Sequence, residues 1–410
     1  MSAAARPRIM APVALAASSA VTAAGVGLAA LAAALAEGQT ALRPNSFTQQ
    51  PLDCQVGQVD QISSMAWPVH WAAWDSRATR LAWLALQSDG MLQAVKDACR
   101  RHGAERVGLV IGTSASTIGS SEMAYRQLAD DGGFPEPLRH EALHSLHAVT
   151  EFVQQAAGIQ GPGLTVSTAC SSSAKAFAVA QRWLALGLVD AVLVGGVDAL
   201  CDSVVFGFEA LRLVARQACT PFGAGRSGIS VGEAAAFVLL DRQREPDSIT
   251  LVGYGEASDA HHMSSPHPQG LGAELALDAA LAGAGVAAAD VQYLQLHGTG
   301  TPLNDAVEAC LVARRYPSTV HASAIKGCVG HTMGAAGILG VLACGLALQS
   351  GLRAGTVGVG KPELIDPSLP GAFASQLHVS AQHAPTRLAA SHAFGFGGNN
   401  AVILLARGAG

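Results

Sequence analysis

The 410-residue chain reads as an α/β protein with buried sheets, built from two similar halves. Three observations predict this. Short apolar runs of strand length alternate with Ala-rich stretches of helix length, as in folds that lay helices on sheets. Charged residues make up only 13% of the chain and hydrophobic ones 50%, against a usual charged share of about 25%. So little charge predicts large internal interfaces and a subunit interface. Finally, a Gly turn feeding an apolar strand occurs twice, at Gly232–Leu240 (GEAAAFVLL) and Gly397–Leu405 (GGNNAVILL). The linker-like run RQREPDS (242–248) lies between the two copies and divides the chain into halves 1–245 and 246–410.

The elements follow in order. Arg6 and Arg8 precede an apolar run from Ile9 to Ala36, which mimics a signal peptide or membrane span. The run is mostly Ala and Gly, with Ser18, Ser19 and Thr22 inside it. It therefore reads as a strand (Ala11–Ala17), a turn, and a helix from Gly25 to Glu37 ending near Gly38. No other segment reads as a span, which predicts a cytoplasmic protein without membrane contact. Further strands are expected at Val107–Ile111, Leu164–Ser167, Ala191–Val194, Ala235–Leu240, Ile249–Val252, Val291–Leu296 and Ala401–Leu405. Helices are expected at Ser171–Leu186, Gly272–Ala284, Asp305–Arg315 and Gly334–Gln349. Residues 48–69 and 357–385 read as loops.

The net charge of −5 excludes a general nucleic-acid binder, which needs a basic footprint. The eight cysteines include no C-x-x-C pair. Scattered through apolar segments of a long chain, they predict free thiols rather than a disulfide frame or a zinc site.

Four segments carry candidate chemistry. In GPGLTVSTACSSSAK (161–175), Cys170 stands where a strand gives way to a helix. Free N–H groups and the positive end of the helix dipole favour thiolate there and can hold a developing oxyanion. On this segment alone the residue is either a nucleophile or a small packed thiol. In LHGTGTPLNDAVE (296–308), His297 ends a strand and a helix begins near Asn304 or Asp305. A His at a strand end can polarise a carbonyl or move a proton; it can equally cap backbone. In KGCVGHTMGAAG (326–337), Lys326 ends a strand, His331 rides a glycine turn, and a helix starts on small residues that permit close backbone approach. Lys326 can pair with Glu308, or be a surface lysine. SHAFGFGGNN (391–400) is a Gly-rich turn before a strand, without the Lys or following helix of a phosphate loop.

The ordered set of Cys170, His297, Lys326 with His331, and the Gly-Phe-Gly-Gly turn resembles the β-ketoacyl-acyl carrier protein synthase family, elongating Cys-His-His type. TPFGAGRSGISVGEA (220–234) and SDAHHM (258–263) are similar to other blocks of that family. The resemblance runs from the first strand to Leu405. It implies a thiolase-like duplicated fold, five layers αβαβα with two central mixed sheets. It implies that Cys170 takes an acyl group from a carrier protein and that the carbanion from malonyl decarboxylation attacks this thioester. His297 and His331 match the pair that holds the malonyl carbonyl. Lys326 and Glu308 match a supporting ion pair, and Asp305 a supporting carboxylate. The backbone N–H groups of Cys170 and Phe396 match the oxyanion hole, and Phe396 also matches a gating side chain. No metal and no cofactor are implied beyond the phosphopantetheine that the carrier supplies.

Gly223, Ser227, His392 and Asn399 depart from the family's commoner residues, and Gly340 stands where many members carry a Glu beside a structural cation. The STACSSSAK and GISVGEAA runs resemble synthases of aryl-polyene and related polyene pathways. Partners implied are an acidic acyl carrier protein and a second ketosynthase-like subunit, identical or related. Basic residues are expected to greet the carrier; Arg77, Arg80, Arg212 and Arg216 are candidates, or ordinary solvated surface. His261, His262 and His267 lack metal-ligand spacing. Trp71, Trp74 and Trp83 are expected to pack a helix against the body. Two rival readings remain: a non-catalytic chain-length-setting partner in a heterodimer, which usually lacks the cysteine, and a degradative thiolase, which wants a second cysteine in His331's role.

Overall fold

A computed structural model describes residues 9–130 and 132–408. Ten strands build its main sheet. The first half supplies β1 (Val13–Thr22), β2 (Val107–Gly112), β3 (Gly163–Val166), β4 (Ala191–Asp198) and β5 (Ala234–Asp241). The second supplies β6 (Ile249–Ser258), β7 (Tyr293–Gln295), β8 (His321–Ser323), β9 (Leu388–Gly395) and β10 (Asn399–Arg407). Their order is β8-β7-β9-β10-β6-β1-β5-β4-β2-β3, with a short strand Gly25–Val26 hairpinned onto β1.

Each half repeats the other. Counting outward from the middle, its first strand is followed by its fifth, fourth, second and third. The fifth strand is antiparallel to both neighbours, and the second is parallel to both of its own. The halves meet edge to edge only where Val13 pairs with Leu251 and Ala14 with Thr250.

Helices complete five layers. They are α1 (Leu28–Glu37), α2 (Arg77–Gln87), α3 (Met91–His102), α4 (Ala148–Ala157), α5 (Ser172–Ala185), α6 (Leu271–Ala284), α7 (Pro302–Arg315) and α8 (Ala336–Ser350). Helices α2, α3 and α4 cover the outer face of the first half's strands, burying Leu81, Met91 and Phe152 against Leu109, Leu193 and Phe237. Trp71, Trp74 and Trp83 gather around the Phe152 ring, as expected. On the second half, α6 and α7 set Leu277 and Val312 against Leu294, Val402 and Leu404. Between the two sets of strands lie α5 and α8, whose Phe177, Ala180, Ile338 and Val341 meet Val192 and Val194 on one side and Ala389 and Ile403 on the other.

The apolar run near the N-terminus forms β1 and α1. The strand extends through Ser18, Ser19 and Thr22, beyond the predicted Ala17, because these residues pair with Val238, Phe237 and Ala234 of β5. The helix stops at Gly38, whose left-handed backbone (φ 63°) returns its N–H to the carbonyls of Ala34 and Leu35. Arg6 and Arg8 lie outside the described residues.

Three expectations are corrected. Residues Leu388–Gly395 form a strand, not part of a turn; its Ala, Ser, His and Gly carry little β-propensity, and pairing on both edges imposes the conformation. Lys326 opens a one-turn helix, Lys326–Val329, instead of ending a strand. Met333–Ser350 is long and apolar enough to cross a bilayer. It is nevertheless the central helix, all-round apolar because protein surrounds it.

Small residues bring the central helices together. A Cβ on Gly337 would stand 2.6 Å from the Ala174 nitrogen. Gly337→Val is therefore expected to overpack this contact and cost about 1–3 kcal/mol of stability, read as a lower denaturant midpoint with unchanged slope.

Candidate active site

Cys170 sits in a sharp turn between β3 and α5. Ala169 before it adopts φ 52°, a strained value for a residue with a Cβ. The following serines hold the turn. Ser171 Oγ donates to the Thr168 carbonyl (2.9 Å), and Ser172 Oγ donates to the Ala169 carbonyl (2.6 Å) while accepting the Thr168 N–H (2.9 Å). Ser173 Oγ accepts the N–H of Ile338 on α8 (2.9 Å), tying the cysteine's helix to its neighbour.

His297 and His331 come from the second half. Their rings lie 5.8 Å apart at 87°. Each offers a nitrogen such that these two atoms and the Cys170 sulfur all lie within 4.8 Å of one another. All three residues are buried yet line one cavity of about 290 Å³, walled by Phe208, Phe394, Phe396 and Leu303. Cys170 is the single cysteine among the lining residues.

Neighbouring donors select the tautomers. The Met333 N–H donates to His331 Nδ1 at 3.0 Å, made possible by a left-handed Met333 (φ 54°). The Lys326 ammonium lies 3.3 Å from His297 Nδ1 and also donates to the His297 carbonyl. An ammonium has no acceptor. Both Nδ1 atoms are therefore acceptors, and both rings carry their proton on Nε2. Burial, assisted by the Lys326 charge, lowers His331 to about 3. Burial first, then the charges of Lys326, His331 and His392, hold His297 well below its ordinary value. The site thus contains two neutral imidazole donors.

Glu308 fixes the loop that carries His297. Its two oxygens accept the N–H groups of His297 and Gly298, each at 2.8 Å, and one also receives His392 Nδ1 at 3.0 Å. The predicted Lys326–Glu308 ion pair is corrected: no such contact forms among the described residues. Glu308 is filled by these donors and Lys326 turns to His297, so the carboxylate holds that residue's N–H and the ammonium its ring and carbonyl. Glu308 still favours the charged Lys326, against burial, which lowers it. Asp305 accepts the N–H groups of Thr299 (3.0 Å) and Phe222 (2.7 Å), and burial raises it to about 6. It braces the loop; Thr301, not Asn304 or Asp305, precedes α7.

The expected preference of Cys170 for thiolate is also corrected. Burial pushes the thiol above its ordinary value. Lys326 and the backbone N–H groups of Phe396 and Cys170 pull it down without reversing the shift. Those N–H groups act on the sulfur and so flank the atom on which a thioester adduct, with its oxyanion, would form.

A thiol and two imidazoles also resemble a zinc set. Here the tautomers disagree. A metal held through Nε2 would need the proton on Nδ1, where Met333 N–H and Lys326 already point. At Gly340 a Cβ would come within 2.3 Å of Ser391 Oγ, so a carboxylate side chain there would require Ser391 to shift. His262 and His267 use Nδ1 within their own loop.

The arginines separate. Arg77 is corrected to a structural role: its guanidinium grips the buried Glu233 through Nε (2.7 Å) and a second nitrogen. Arg80 is held by both oxygens of Asp75, and Arg216 by Glu209 at 2.6 Å. Arg212 is exposed, precedes the cavity-lining Leu213, and forms no ion pair among the described residues.

Sequence reading missed Asp198 and Phe208. The Asp198 carboxylate accepts Ser114 N–H (2.8 Å), Ala115 N–H (2.8 Å) and Gly334 N–H (2.6 Å), tying the end of β2 to the His331 turn. A lone acid ending the apolar run of β4 was the available signal. Phe208 lies 6.3 Å from the His331 ring and 6.1 Å from Phe396; nothing local marks it.

A duplicated five-layer α/β fold with a cysteine facing two neutral histidines defines a thioester-handling site. Family profiles agree with it. Residues 10–245 match "Beta-ketoacyl synthase, N-terminal domain" and residues 249–359 match "Beta-ketoacyl synthase, C-terminal domain". The chain belongs to the β-ketoacyl synthase family. It is 32% identical over 320 residues to Nodulation protein E of Rhizobium meliloti (strain 1021), covering 74% of this chain and 76% of that one. It is 30% identical over 332 residues to 3-oxoacyl-[acyl-carrier-protein] synthase 2 of Staphylococcus aureus, covering 76% and 80%. A chain of the solved complex of the ketosynthase ApeO with its chain length factor ApeC, from Xenorhabdus doucetiae, superposes with a TM-score of 0.86 at 34% identity, covering 99% of this chain and 100% of that one.

Acid should unsettle this site in a defined direction. The unfolded His331 ring takes a proton near pH 6.5, whereas the folded ring resists to about 3. Stability from this residue is therefore complete above pH 6.5 and is lost as pH falls toward 3. Urea unfolding at pH 7 and pH 5 is expected to show the loss, and His331→Gln to reduce the difference between the two.

Proposed function

We propose that the protein is a 3-oxoacyl-[acyl-carrier-protein] synthase. One observation carries this reading: Cys170 and two neutral, Nε2-protonated imidazoles share one apolar cavity. In the first step the Cys170 sulfur attacks an acyl-carrier thioester. The C–S bond to the carrier breaks, and the thiol proton ends on the departing carrier thiol. The N–H groups of Cys170 and Phe396 hold the tetrahedral oxyanion. In the second step malonyl carrier protein loses carbon dioxide. The electron pair passes to an enolate whose oxygen accepts from His297 and His331. Neutral donors suit this task, because an imidazolium would protonate the carbanion. The enolate carbon attacks the Cys170 thioester, releasing a 3-oxoacyl carrier two carbons longer and a thiolate that regains its proton from solvent.

Lys326, Glu308 and Asp305 act through His297 and its loop. No metal or resident cofactor has a step in this scheme; the thioester arm arrives with the carrier. A non-catalytic chain-length-setting role is opposed by the intact Cys-His-His set. A thiolase role is opposed by Cys328, which is buried in the Lys326–Val329 turn and does not line the cavity. The partners in this reading are an acidic carrier protein, met at the mouth by Arg212, and a ketosynthase-like subunit; the ketosynthase ApeO is itself solved in complex with its chain length factor ApeC. Polyene assembly is the pathway assigned, on the STACSSSAK and GISVGEAA runs. Eight free cysteines support a reducing, cytoplasmic setting.

Incubation with acyl carrier protein should add one acyl mass to the protein and none to Cys170→Ala, by intact-mass measurement. Equal acylation of both would remove the nucleophile assignment. His297→Ala should still load Cys170 while releasing carbon dioxide from malonyl carrier protein at least about a hundredfold more slowly, the usual cost of losing an oxyanion donor. Normal release by that variant would contradict the division of roles.

A further inference from the structure

The turn that presents the Phe396 N–H to the sulfur is held from outside the cavity by two side chains with no role in the scheme above. Lys175 lies on the second turn of α5, five residues beyond Cys170, with a side chain mostly buried. Its Nζ donates to Asn399 Oδ1 at 2.9 Å. The Asn399 amide Nδ2 in turn donates to the Phe396 carbonyl at 3.3 Å. The direction of this chain is set by Lys175. An ammonium only donates, so it requires the oxygen of the Asn399 amide and turns the nitrogen toward Phe396. Behind Lys175, Glu256 lies 3.7 Å away and is itself held by Arg182 and by the Tyr254 hydroxyl (2.9 Å).

The turn needs such a hold. Gly397 and Gly398 both adopt left-handed backbone (φ 75° and 69°), so the segment has few conformational restraints of its own. It also fits tightly: a Cβ on Gly395 would stand 3.0 Å from Ser171 N and 3.2 Å from Cys170 N. A small rotation of residues 395–397 would therefore redirect the Phe396 N–H away from the sulfur while leaving the Cys170 N–H in place.

We infer that Lys175 and Asn399 are positioning residues for the oxyanion hole, fixing the Phe396 carbonyl, and through that residue's φ and ψ its N–H, from the nucleophile's own helix. This rests on the condensing-enzyme reading and deepens it. The pair acts on acyl transfer to Cys170. It does not act on malonyl decarboxylation, whose oxyanion is held by His297 and His331.

The test compares the two half-reactions in Lys175→Met and Asn399→Leu, which keep side-chain length and remove the polar links. The loading rate of Cys170 from acyl carrier protein is expected to fall about tenfold in each, less than the cost of deleting an oxyanion donor outright. Carbon dioxide release from malonyl carrier protein should stay within about twofold, and Lys175→Arg, which keeps the donor, should recover most of the loading. Unchanged loading in both variants overturns the inference. So does an equal fall in both half-reactions, which marks general loosening of the fold. Cys170→Ala serves as the control: if it loads acyl groups, the condensing-enzyme reading itself fails, whereas normal loading by the Lys175 and Asn399 variants with an inert Cys170→Ala defeats this inference alone.

Discussion

The site depends on two donors aimed at two ring nitrogens. The Met333 N–H and the Lys326 ammonium each claim a histidine Nδ1, and so each ring presents Nε2–H to the cavity. Burial then keeps both rings neutral. The same low-polarity setting that removes charge from the imidazoles makes their remaining dipoles strong toward an enolate oxygen. It also keeps the resting thiol protonated. Charge thus appears in this cavity only while substrate carries it, beside donors already in place.

Rigid supports on both halves hold these donors. Asp198 joins the ends of β2 and β4 to the His331 turn, Glu308 anchors the His297 loop, and Ser173 ties α5 to α8. Each support is a buried polar group whose partners are mostly backbone N–H. Such groups are costly to bury unpaired, and here pairing and positioning are the same event.

Much of this was legible in the sequence, for identifiable reasons. Strands β2, β4 and β5 are continuous apolar runs between turn residues, and the paired Gly-to-strand signals at 232 and 397 coincide with equivalent strands, β5 and β10. Cys170 and His297 stood out because each lies among Gly and small residues where a strand gives way to a helix, and His331 because it rides a glycine turn ahead of α8. What escaped was whatever depends on the sum of opposing terms. The protonation of Cys170 is such a sum, with burial set against Lys326 and two N–H groups. The missing Lys326–Glu308 contact is another, decided by the His297, Gly298 and His392 donors that occupy the carboxylate. Strand β9 escaped because Ala, Ser and Gly take their conformation from the strands on either side, not from their own preference.

Among the described residues the main sheet joins the two halves only through the pairs Val13–Leu251 and Ala14–Thr250; much of their cohesion comes from α5 and α8 pressed face to face, with Phe222 seated in the second half's core and Asp198 bonded to Gly334. Neither half by itself has a finished interior, since each would leave one side of its sheet and one helix open to water. The chemistry is split along the same line, sulfur on one half and imidazoles on the other. Synthesis from the N-terminus therefore yields a nucleophile long before it yields the groups that make it useful, and the docking of these distant parts, a step of high contact order, is what switches the molecule on.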